Sequence, residues 1–113
     1  MTRHDVLVRV RHMLDNAREA LNMTVGLCRE DLDKNRQLNL ALVRMLEILG
    51  EAAARVHDDF RQQHLDIPWR DIADLRNRLI HGYDSVNFDM LWTVLREDLP
   101  PLIARLEEIL KGK

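Results

Sequence analysis

Residues 38–60 read LNLALVRMLEILGEAAARVHDDF. Leu38, Leu42, Met45, Leu49, Ala53, Val56 and Phe60 recur at steps of four, three, four, four, three and four. Those steps average close to the 3.6 residues of an α-helical turn, so one face of a single long helix is expected to be buried throughout. Gly50, followed by Ala52, Ala53 and Ala54, leaves a thin stretch where another helix can come close. Glycine inside a helix costs about 1 kcal/mol relative to alanine, so a packing reason is expected at that point.

The helical reading extends in both directions. Thr2 with Asp5 forms a capping-box pattern, and Val6, Val10, Met13, Ala17 and Leu21 follow at helical spacing, widened by Leu7 and Leu14. The first helix is therefore expected to run to about Asn22. Residues 23–34 are ambiguous, with Thr24 able to cap a short helix holding Leu27, Cys28 and Leu32. Downstream, LDIPWRDI (residues 65–72) ends the long helix and starts another, with Pro68 in the first turn and Ile72, Leu75 and Leu79 as its buried stripe. Gly82 is a natural left-handed stop for it. DSVNFDMLWTVLRED (residues 84–98) supplies a further helix, and Pro100 and Pro101 open the last, with Leu102, Ile103, Leu106, Ile109 and Leu110 apolar. The expected fold is one all-α domain over residues 1–113, an antiparallel up-down bundle of four main helices plus a short one.

Composition agrees with a globular helical chain: 46% of the 113 residues are hydrophobic and 32% charged. The only cysteine is Cys28, so no internal disulfide can form, and a reducing compartment is expected. Charges interrupt the N-terminal segment, which lacks a signal-peptide pattern, and no apolar run approaches a membrane span. A cytoplasmic protein is the expectation. The formal net charge of -2 argues against a generic nucleic-acid coat protein, so any RNA contact must come from a local cluster.

Such a cluster lies in LRNRLIHGYD (residues 75–84). In a continuous helix Asn77 and His81 would stack as an i,i+4 pair, with Arg76 converging only partly. His81 would sit at the helix C-terminus, whose dipole favours the protonated ring. An arginine, a titratable histidine and the Tyr83 hydroxyl make a set able to handle phosphate. Ordinary capping by His81, with Arg76 and Arg78 paired to Asp71, Asp74 or Asp84, accounts for the same spacing. Spacing alone leaves both readings open. His4 with His12 and His57 with His64 are each about two helical turns apart, too far to share one metal, and a solvated surface position is expected for all four. Cys28 is expected to be packed or half-buried. Arg9, Arg11 and Arg18 could extend a phosphate-binding surface, but a solvated face is expected, and Met13, Met45 and Met90 read as core filler.

From Leu46 to Trp92 the chain resembles the HEPN superfamily and, within it, the HepT-like toxins of prokaryotic toxin–antitoxin pairs. The resemblance is carried by LEILGEAAARV (residues 46–56) and by IPWRDIADLRNRLIHGYDSVNFDMLW (residues 67–92). The second stretch contains the superfamily's arginine, four residues, histidine, one residue, tyrosine pattern as Arg76, His81 and Tyr83, with Asn77 at the polar position after the arginine. The resemblance implies metal-independent RNA cleavage by a homodimer whose two motifs face one cleft, without a cofactor. It implies that Arg76 neutralises the scissile phosphate, that His81 exchanges a proton with the attacking 2′-hydroxyl or the leaving oxygen, that Asn77 orients His81 or the phosphate, and that Tyr83 lines the cleft. It further implies a partner, an MntA-like minimal nucleotidyltransferase antitoxin that attaches AMP to Tyr83, the only tyrosine of the chain. The alternative within the superfamily is a non-catalytic bundle acting as a binding or regulatory subunit of that nucleotidyltransferase, which would have no need of the intact motif.

Overall fold

Thr2 starts the first helix as its spacing predicts. The Thr2 hydroxyl accepts from the Asp5 amide at 3.1 Å, and the Asp5 carboxylate accepts from the Thr2 amide at 3.2 Å. The reciprocal bond holds the Asp5 carboxyl below the usual carboxylate range. In a computed structural model, which describes residues 1–81 and 85–112, the helix that follows is α1, Arg3–Met23. A short α2 (Asp31–Lys34) and the long α3 (Arg36–Ala54) come next. Asn35 joins them, its side chain accepting from the Leu38 amide at 3.0 Å. Then come α4 (Asp58–Gln62), α5 (Trp69–Ala73) and α6 (Leu75–Leu79). A two-stranded antiparallel hairpin pairs β1 (Ile80–His81) with β2 (Ser85–Val86). Helix α7 (Phe88–Thr93) runs through a π-helical stretch, Val94–Asp98, into α8 (Leu99–Lys111).

The all-α bundle expected from the sequence is what forms, with α1 packed on α3 and α8, and α5 and α6 packed on α3. Its core includes Met13, Leu14, Leu42, Leu46, Leu49 and Leu106, all fully buried. Contacts at both ends fix antiparallel directions: Glu47 meets Arg76 while Gly50 meets Ile72, and Arg18 meets Glu107 while Arg96 reaches Thr24.

Four local expectations are corrected. The long helix stops at Ala54 and resumes as α4, although Val56 and Phe60 are buried as the periodicity requires. His57 makes the break by capping α4, accepting from the Asp59 amide at 3.4 Å. Arg61 then donates to the carbonyls of Ala53 (2.8 Å) and Ala54 (2.9 Å), which stand at the negative end of a helix with no basic residue in its last turn. The second correction concerns Thr24, which does not open a helix. It is the C-cap of α1, its buried hydroxyl donating to the Leu21 carbonyl at 3.0 Å. Arg96 closes the same end from outside, donating to the carbonyls of Thr24 and Leu27 while its guanidinium lies 4.3 Å from the Trp92 ring centroid.

Third, Pro100 and Pro101 stand in the first turn of the last helix, α8, as expected, but no loop separates it from α7. Two prolines cannot donate to Arg96 and Glu97, and their rings crowd the carbonyls one turn back. The backbone widens there instead of breaking, with the Leu99 amide reaching five residues back to Val94. The fourth correction is the segment after Pro68, which is two short helices meeting at Asp74 and ending at Leu79. Ile80 turns extended (φ -111°, ψ 125°), and the returning chain gives its Asn87 amide to the Leu79 carbonyl at 2.7 Å. Gly82, read as the helix stop, lies outside the described residues.

Gly50 has the packing reason its position demands. A Cβ built there would lie 2.8 Å from the backbone carbonyl oxygen of Ile72. Side-chain motion cannot relieve a clash with backbone, so α3 and α5 could not keep this separation. Gly50→Ala should lower the urea midpoint, losing about 1–3 kcal/mol to overpacking despite a gain of up to about 1 kcal/mol in helix propensity. An unchanged or raised midpoint would show that the close approach is not required.

Candidate functional site

The register of α6 places the motif arginine. Leu75 and Leu79, one turn apart, are buried in the core, which turns Arg76 and Asn77 outward. Arg76 comes to lie beside α3, its Nε 3.4 Å from Glu47 Oε2. The Glu47 side chain is only 22% exposed whereas that of Arg76 is 63% exposed. Arg78, on the other flank, is tied to the π-helical stretch, with Nη2 3.3 Å from Asp98 Oδ2 and 3.5 Å from the Met90 sulfur. Neither arginine takes Asp71 or Asp74 as its ion-pair partner. Asp74 instead accepts from Asn77 Nδ2 at 2.6 Å, so the Asn77 amide is engaged there and not with His81.

Arg76 opens onto a groove of about 570 Å³ between the first half of α3 and the hairpin. Val43, Ile80, Val86 and Phe88 give it apolar walls, and Lys34, Arg36, Arg44 and Arg76 stand along it against Asp33 and Glu47. The excess of positive charge there contrasts with the chain's net -2. Arg29 fixes one wall, binding Asp33 (3.0 Å) and Asp89 (2.7 Å) with its guanidinium 5.8 Å from the Phe88 ring centroid. Leu40, on the same rim, is 56% exposed.

His81 is not at a helix C-terminus and does not stack on Asn77, because the helix has already ended two residues earlier. In the hairpin Ile80 pairs with Val86 and His81 with Ser85. Ile80 and Val86 line the groove, so alternation along the strand sends the exposed His81 and Ser85 to the other face. Among the described residues no hydrogen bond or ion pair joins Arg76 to His81. The two are thus near in sequence and both exposed, yet a single chain offers them to different faces. Tyr83 lies outside the described residues.

Of the remaining histidines, His4, His12 and His57 are exposed, as expected, and His64 is half-buried. His57 is the α4 cap, and His64 stacks on Phe60 with ring centroids 4.5 Å apart while its carbonyl accepts from the Trp69 indole at 2.9 Å. Among the described residues no group of three or more His, Cys, Asp or Glu side chains is arranged to hold a metal ion. Cys28 is exposed, contrary to expectation. Its thiol is pushed above the usual range by hydrogen bonding with Glu30 and then Asp31, so little of it is the nucleophilic thiolate at neutral pH. Arg18 of α1 is paired with Glu107. No helix among the described residues is long and apolar enough to cross a membrane.

Sequence reasoning missed Glu47. Its signal was available, because Glu47 is the one charge in the apolar run LEIL (residues 46–49), and a carboxylate there needs a partner from another element.

The family profile "Ribonuclease HepT-like" matches residues 13–109. The chain is 31% identical over 107 residues to "Putative RNase MJ1380" of Methanocaldococcus jannaschii, covering 95% of this chain and 98% of that protein. It is 36% identical over 102 residues to "Probable ribonuclease HepT" of Thermococcus cleftensis, covering 87% of this chain and 93% of that one. No solved structure matches it. With an all-α bundle and a profile match over most of its length, this chain belongs to the HepT-like ribonuclease family.

Proposed function

We propose that this protein cuts RNA by attack of a ribose 2′-hydroxyl on the adjacent phosphate, in a cleft built from two copies of the chain. The observation that carries the reading is the placement of Arg76, exposed at a groove with excess positive charge, beside a hairpin strand that exposes His81, in a chain of this family. Phosphate is the natural occupant next to Arg76, whose planar fork matches two phosphate oxygens.

The chemistry needs few groups. The 2′-oxygen bonds to phosphorus, the bond from phosphorus to the 5′-oxygen breaks, and a proton moves from the first oxygen to the second. The products are a 2′,3′-cyclic phosphate and a 5′-hydroxyl. Arg76 stabilises the charge that builds on the phosphoryl oxygens. Acid–base help must move that proton between the two oxygens, and His81 is the motif group able to carry it at neutral pH. A two-fold axis beside the hairpin would bring His81 of each copy toward the phosphate held by Arg76 of the other, answering the separation of the two side chains within one chain. Asn77, anchored to Asp74, supports the turn that carries the motif.

Regulation is part of the same proposal. An antitoxin with nucleotidyltransferase activity attaches AMP from ATP to the Tyr83 hydroxyl, releasing pyrophosphate. The added bulk and negative charge then lie where an RNA phosphate must enter.

Two outcomes test this. Arg76→Ala and His81→Ala should each lose RNA cleavage by a factor of about 100 or more while remaining helical. Mixing and refolding the two inactive variants should restore part of the activity, because some clefts then combine an intact Arg76 with an intact His81. Cleavage by both variants alone would remove the assignment, and a mixture as inactive as its components would remove the shared cleft.

Incubation with the cognate nucleotidyltransferase and ATP should add whole adenylate units to the protein by mass spectrometry. Tyr83→Phe should take none and should escape neutralisation. A Tyr83→Phe protein modified as fully as the parent, or silenced without modification, would contradict regulation through this hydroxyl.

A further inference from the structure

Glu47 is the group to which the geometry points next. We infer that Glu47 is a positioning residue for RNA cleavage, holding Arg76 by its Nε edge so that the outer fork of the guanidinium is presented to the phosphate. This inference rests on the function proposed above, but the contact on which it depends can be tested separately.

Three features of the pair support it. Glu47 is mounted on the 19-residue α3, between fully buried Leu46 and Leu49. Arg76, by contrast, stands on a five-residue helix with a side chain 63% exposed. A long exposed arginine without a holder samples many rotamers, and fixing it at the moment of reaction has an entropic cost. A carboxylate on a fixed helix removes much of that freedom beforehand.

The point of contact matters as much as the contact. Glu47 Oε2 approaches Nε, at 3.4 Å. A guanidinium has five N–H donors in a planar fork, so engagement at Nε leaves the edge formed by the two terminal nitrogens open for bidentate binding of phosphate.

Stability is a poor explanation for the pair. With Arg76 largely in solvent the ion pair contributes at most a small amount to folding. The nearest charges on the same face of α3, Arg44 and Glu51, pair with each other at 3.5 Å. The carboxylate also repels an RNA backbone in the groove. A residue that weakens substrate attraction while ordering the phosphate-binding group should affect turnover and binding in opposite directions.

Glu47→Gln keeps the shape and removes the charge. It should lower kcat about tenfold, the scale on which outer partners of a reacting group act, with KM for RNA unchanged or lower and the thermal midpoint unchanged. In an Arg76→Lys background, where there is no Nε to hold, the same substitution should cost less than about twofold, a non-additivity diagnostic of direct coupling. Equal losses in both backgrounds, or a rise in KM together with a fall in thermal midpoint, would make Glu47 merely structural and overturn the inference. The Arg76 Nε–H resonance in the intact protein provides a readout that needs no activity. It should be distinct from those of solvent-exposed arginines in the parent and should move to join them in Glu47→Gln. A resonance that does not move denies the contact and sinks the inference whatever the enzyme does; a resonance that moves in a protein unable to cut RNA upholds the contact and overturns the proposed function instead.

Discussion

The separation between α3 and α5 at Gly50 governs where everything else in this molecule can lie. With no side chain at that point, the carbonyl oxygen of Ile72 can lie 2.8 Å from where a Cβ would stand. The approach brings the two short helices down onto the long one, so that Leu75 and Leu79 enter the core. Arg76 is then forced to the one flank of α6 that faces Glu47. A residue with no side chain thereby sets the position of the side chain on which the proposed chemistry depends. The opposite flank is fixed as firmly, by Arg78 on Asp98 and Met90.

The same logic runs through the ends of the helices. Neither α1 nor α3 carries a basic residue in its last turn, and in each case an arginine from a later element supplies the missing donor: Arg96 to Thr24 and Leu27, Arg61 to Ala53 and Ala54. These contacts hold the connections between helices. They also leave the groove beside Arg76 with stable walls, since Arg29 binds the start of α7 to α2. Such a frame around an exposed arginine and an exposed histidine suits the proposed reaction, which would ask mainly for orientation and charge stabilisation.

Burial was legible in the sequence to a greater depth than secondary structure. The periodic stripe of residues 38–60 identified Leu38, Leu42, Met45, Leu49, Ala53, Val56 and Phe60; all are buried except Met45, which is half-buried against the core. The helix nonetheless breaks before His57, because the caps that end it come from His57 and from Arg61 beyond it. Capping by a distant side chain leaves no mark on hydrophobic spacing. The turn at Ile80 was hidden for a related reason. Leu79, Ile80 and His81 continue a helical pattern locally, and only pairing of Ile80 with Val86 pulls the chain into a strand. Asn87 was the readable sign, an N-cap residue directly before the apolar start of α7, its side chain accepting from the Met90 amide at 3.0 Å. The candidate site was legible as residue types, through the motif of Arg76, His81 and Tyr83. Its geometry was not, since helical spacing put Asn77 and His81 together where the hairpin separates them.

The central claim is that the 2′-hydroxyl of the substrate is the nucleophile and that Arg76 and His81 assist it. The most direct measurement uses a short oligoribonucleotide whose cleavage position has been mapped, and a second copy with a single 2′-deoxy sugar on the 5′ side of that bond, each incubated with the protein in excess EDTA. The account predicts that the first is cut to a 2′,3′-cyclic phosphate and a 5′-hydroxyl, and that the second stays intact at that bond. Cleavage of the 2′-deoxy substrate at the same position, or activity that disappears in EDTA and returns with added metal, would contradict it.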